Sequence, residues 1–160
     1  MGNIYQDKQL GGFFMEKVKK YATAIYQNAM TGIQSIRDIE DAVEDEGLRK
    51  ELSFELERFN EIRKRIETFS SENGFEVQEN NFFEKMKMLM SVKMSTLTDK
   101  STRHIAEMLL IGTVMGLTTC YKDQSDHKNV SNELDAIVRD LEIIEEDNYS
   151  RLKKFLKKLD

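Results

Sequence analysis

The stretch His104-Ile105-Ala106-Glu107-Met108-Leu109-Leu110-Ile111-Gly112-Thr113-Val114-Met115-Gly116-Leu117 decides the fold class. Wound into a helix it is apolar on almost every side, whereas the other segments are strongly amphipathic. A helix of that kind is stable in water when other helices enclose it. The expectation is an all-α antiparallel bundle of four or five helices, a single domain over 1–160, with this segment at its centre.

Outward from it, the chain contains no proline, so nothing forces a break in helical segments. Phe14, Val18, Tyr21, Ile25, Ala29, Ile33, Ile36, Ile39 and Val43 step by three or four and form one helical stripe. Leu48, Leu52, Leu56, Phe59, Ile62, Ile66 and Phe69 form a second, with Glu61 and Arg65 at pairing distance on another face. Between them, Glu44-Asp45-Glu46-Gly47 reads as a turn whose glycine ends the first helix in a left-handed conformation. The last stripe is Val130, Leu134, Ile137, Leu141, Ile144, Asn148, Leu152, Phe155 and Leu159, with Asn148 its one polar member.

Read as one helix, Phe82 to Lys122 would be about 61 Å long at 1.5 Å per residue, too long for its neighbours to cover. Thr96-Leu97-Thr98-Asp99-Lys100-Ser101 is rich in capping residues. This predicts that the third long helix is broken near 97–101, giving helices near 81–97 and 101–122. Ser70 to Asn81 is the longest link and reaches about 36 Å when extended, enough for a long crossover. A simple up-and-down order is the alternative.

Twenty-four Lys and Arg against 29 Asp and Glu leave a net charge of −5, which gives no electrostatic reason to approach a phosphate backbone. Nucleic acid is not an expected partner. The cations Arg151 to Lys158 complement the negative end of the last helix. Cys120 is the only cysteine, which excludes an intrachain disulfide and suits a reducing compartment. Met1 to Gln9 lack the pattern of a secretion signal, and Gln6 departs from a myristoylation motif. The greasy run Met108–Leu117 is about half the length of a membrane span. A cytoplasmic protein with no membrane span is expected.

Candidate sites are few. A di-iron bundle needs Glu-x-x-His on two helices, and neither His104 nor His127 follows a glutamate at that spacing. The spacing occurs with asparagine, as Glu57-x-x-Asn60 and Glu145-x-x-Asn148, and an amide is a poor substitute for imidazole at iron. His104 and Glu107 share a helix face and read as a hydrogen-bonded pair or a divalent-metal pair. The weak metal candidates are therefore His104, Glu107, Glu57 and Glu145, with no catalytic residue, cofactor or committed metal site. Met86, Met90 and Met94 form a stripe suited to core packing or an apolar groove rather than copper. Gly112 and Gly116 predict close helix packing, and Cys120, at the negative end of its helix, is a poor nucleophile.

Asp99-Lys100-Ser101-x-x-His104-Ile105-Ala106-Glu107-Met108-Leu109, then Gly112-Thr113-x-Met115-Gly116, then Glu145-Glu146-Asp147-Asn148 before Leu152, resemble small bacterial proteins of the ferritin-like superfamily that lack its Glu-x-x-His motifs. The resemblance implies a ferritin-like bundle and carries over no activity, because fold alone does not confer function. The expected function is non-enzymatic, acting through self-association, with a homodimer favoured, or through a protein partner. The alternatives are a divergent iron- or manganese-binding bundle using Glu57, Glu107, Glu145 and His104, and a carrier of a lipid or small apolar ligand using the methionine stripe.

Overall fold

The computed structural model describes residues 4–78 and 98–159. Within them the chain forms four α-helices, α1 (Ile4–Ile39), α2 (Glu46–Glu72), α3 (Thr102–Asp126) and α4 (Asn132–Leu152), with 3-10 turns at Glu40–Ala42 and Lys153–Lys157. The helix expected near 81–97, and with it Met86, Met90 and Met94, lies outside the described residues.

Three helices begin at a side-chain cap. Asp45 accepts from the Leu48 amide at 2.8 Å, Ser101 from His104 at 3.3 Å and Ser131 from Leu134 at 3.2 Å. Each satisfies one of the amides that a helix start leaves unpaired. The expected break near 97–101 is present on its described side: residues 98–101 are non-helical, and Asp99 accepts from the Ser101 amide at 2.9 Å. The turn between α1 and α2 works differently from the expectation. Gly47 lies inside the first turn of α2, and the direction change is made by the 3-10 turn and the Asp45 cap. The left-handed glycine is Gly74, at φ +74°, just past the end of α2. There the Phe75 amide returns to the Ser70 carbonyl at 3.0 Å and the Phe75 ring packs edge-on against Phe69.

Polar pairs fix helix directions. Glu51 with Arg151, Arg58 with Asp147 and Arg65 with Asp140 descend α4 as they ascend α2, so these two helices run oppositely. Arg65 thus pairs across helices rather than with Glu61. Gln124 with Glu142 and Tyr121 with Glu146 show the same opposition between α3 and α4. Gly32 against Phe59 on α2, and Gln27 against Gln78 in the link just after it, show it between α1 and α2. Hence α1 and α4 point one way, α2 and α3 the other.

The expected stripes fill the core from Val18 to Val43, from Leu48 to Phe69 and from Leu134 to Leu152. Their ends do not: Phe14 is half-exposed and Leu159 is 90% exposed, because both lie past the helices that would cover them. α3 is not enclosed on every side either. Ile105, Leu109, Leu110 and Cys120 are buried, whereas Ile111 and Val114 are each 47% exposed. The helix is long and apolar enough to span a membrane by composition alone; here one flank packs into the bundle.

Candidate functional site

Polar residues interrupt the seams of all four helices at one level. On α1, Val18, Tyr21, Ile25, Asn28, Gly32, Ser35 and Ile39 repeat by three and four, with Asn28 and Ser35 buried among apolar neighbours. On α2 the seam runs Leu48, Leu52, Glu55, Phe59, Ile62, and on α4 it runs Leu134, Val138, Leu141, Glu145, Asn148, Leu152. Glu55 and Glu145 are each 3% exposed and Asn148 is fully buried. On α3 the corresponding residues are Thr113 and Gly116.

Most of these residues, though not Asn148, surround a cavity of about 30 Å³, lined by Asn28, Glu55, Phe59, Thr113, Gly116 and Glu145 among others. That is room for one or two water-sized groups. Gly116 makes the space. A Cβ there would overlap the Glu145 carboxylate, coming within 2.9 Å of its Cδ and 3.2 Å of Asn28 Oδ1. So the expected close approach at Gly116 is made by a carboxyl side chain, while Gly112 has nothing within 4 Å. The Asn28 amide nitrogen donates to the Gly116 carbonyl at 3.0 Å and to Cys120 Sγ at 3.3 Å. With its donors turned to α3, its Oδ1 is left facing Glu145.

Buried polar atoms normally find partners. Here Glu55 Oε1 and both polar atoms of the Asn148 amide make no hydrogen bond among the described residues. Arg58 and Arg151, the nearest cations, both pair with Asp147, whose carboxyl they hold below the usual range against its desolvation, and Arg151 pairs with Glu51 as well. They also stack over Phe54. Removal from water therefore dominates: it pushes Glu55 up to about 8, with Glu51 adding to the rise, and raises Glu145 well above the carboxylate range, with Glu55 adding to it. Burial raises the Cys120 thiol as well, so it is no thiolate nucleophile.

Of the residues singled out by spacing, Glu145 belongs to this layer and the others do not. Glu57 is exposed on α2, two residues from the buried Glu55. His104 and Glu107 form a loose surface pair at 3.8 Å near the start of α3. The four do not converge, because they lie on different faces and ends of their helices. Asn148 occupies the buried seam position that its stripe implied, and Glu55 and Asn28 were missed. Among the described residues no three His, Cys, Asp or Glu side chains form a metal cluster; the layer is two carboxyls with amides.

The fold and site define an all-α bundle with a carboxyl-bearing polar layer in its core. Comparison with known protein families, with curated proteins and with solved structures finds no match for the chain.

Proposed function

We propose that this chain is a cation-binding helical bundle in which Glu55 and Glu145 take up one hard divalent ion of the manganese class. Asn28 Oδ1 would complete the donors supplied by the chain. The observation that carries the reading is the orphaned Glu55 oxygen beside a cavity that Gly116 opens for Glu145. Two buried carboxyls without a cation stay protonated; one dication balances both charges. Carboxylate and amide oxygens suit hard cations rather than copper or zinc. The reading is one of binding, not catalysis, in a cytoplasmic protein.

Thermal melting with and without Mn²⁺ tests it. Mn²⁺ at saturating concentration is expected to raise the Tm of the full chain by clearly more than that of Glu55→Gln/Glu145→Gln. Equal shifts in both proteins, or none in either, refute the reading.

A second reading, self-association as a homodimer, is favoured by one feature. α1 is about 54 Å long against about 40 Å for α2, and its overhanging start carries exposed Leu10, Phe13, Phe14 and Met15. A second copy covering that face would bury them. Sedimentation should then show a dimer at micromolar concentration that Phe13→Ser/Phe14→Ser converts to monomer; a monomeric parent chain contradicts it.

A further inference from the structure

Asn28 borders two spaces. Besides the core cavity, it lines an open pocket of about 220 Å³ between α1 and α3, together with Gln27, Thr119, Lys122, Asp123 and Asp126. Asp123 and Asp126 are three residues apart and so share a helix face. Asp126 is exposed, whereas Asp123 is only 9% exposed and its Oδ2 makes no hydrogen bond among the described residues. The pocket is thus lined by one exposed and one buried carboxyl group, Asp126 and Asp123.

We infer that the pocket between α1 and α3, which adjoins the core cavity at Asn28, is an outer site for a hydrated divalent cation. Above about pH 7, where Asp123 joins Asp126 in carrying charge, the recess is anionic, and such a recess concentrates cations and speeds their capture. Lys122 on the same rim reduces the local charge, which makes the outer site the weaker of the two.

Stoichiometry and loading rate test this in the full chain, stripped with chelator, dialysed and titrated with Mn²⁺ while free ion is counted by electron paramagnetic resonance. The wild type should bind two ions, Glu55→Gln/Glu145→Gln one, and Asp123→Asn/Asp126→Asn one. The last variant should load its remaining ion about tenfold more slowly, as expected for a lost steering charge. A single wild-type ion that Asp123→Asn/Asp126→Asn still binds at an unchanged rate, and that Glu55→Gln/Glu145→Gln loses, overturns the outer site and leaves the core reading standing. A single ion lost only in Asp123→Asn/Asp126→Asn overturns the core reading and leaves the outer site standing; no binding at all overturns both. Melting curves report the folding of each variant. If the aspartate double variant does not fold, Asp126→Asn alone, at an exposed position, supplies the same comparison.

Discussion

A carboxyl group removed from water is stable only when neutral or paired, and that condition governs Glu55 and Glu145. Replacing both by glutamine keeps shape and neutrality while removing the titration. In metal-free protein at pH 8, Glu55→Gln/Glu145→Gln should raise stability by a few kcal/mol, since each unit of pKa shift corresponds to about 1.4 kcal/mol. At pH 5, where the parent carboxyls are already protonated, the change should be small. Denaturant unfolding at the two pH values checks both. The two glycines of α3 separate in the same way. Gly116→Ala must displace the Glu145 carboxylate and should cost about 1–3 kcal/mol. Gly112→Ala meets open space and should gain up to about 1 kcal/mol from helix propensity. What made Glu55 hard to see in the sequence was the apolar Leu56 beside it, which fits a three-four stripe nearly as well. The heptad through Leu48, Leu52, Phe59 and Ile62 selects position 55 when polar residues are admitted to the seam. Asn28 was hidden likewise beside Ala29.

At the scale of elements, the stripes were legible because burial is imposed at a period of three to four residues, and every buried apolar residue between Val18 and Val43 lies on or beside the stripe read for α1. The Ser101 cap and the break before it were legible as well, since a serine hydroxyl there can reach the third amide of the helix. Two features were not. A glycine within an acidic turn reads as a helix end, but Asp45 supplies the cap two residues earlier and Gly47 falls inside α2. An all-apolar segment reads as fully enclosed, yet α3 leaves Ile111 and Val114 partly in solvent, which the sequence of one helix cannot settle because it depends on how many neighbours pack on it. The caps make the prediction at this scale: Ser131→Ala should destabilise the protein by about 1 kcal/mol through loss of its bond to the Leu134 amide. Thermal melting at fixed pH measures it.

For the whole molecule, the polar layer predicts an inverted pH profile. Glu55 near 8, Asp123 near 7 and Glu145 well above its ordinary value all hold protons in the folded state that the unfolded chain releases near 4 to 4.5. Their contribution is thus fully present below that range and is lost as pH rises through the folded values. Around Glu55 the opposing charges are Glu51 and Asp147 against Arg58 and Arg151; around Glu145 the facing group is Glu55; around Asp123 they are Asp126 and Lys122. His127, lowered by burial against Tyr21, works the other way with a single proton below about pH 6.5. Asp45 and Asp147, both lowered, change only at more acidic pH. Metal-free protein should therefore melt lower at pH 8 than at pH 5, and Mn²⁺ should restore much of the difference. A profile flat over that range would show that the layer is hydrated and ionised. The most direct test of the core site is elemental analysis of the full chain purified without chelator, beside Glu55→Gln/Glu145→Gln prepared identically. Near-stoichiometric manganese in the parent chain and markedly less in the variant is the predicted result; a parent chain that is metal-free and takes up no Mn²⁺ on addition would contradict it.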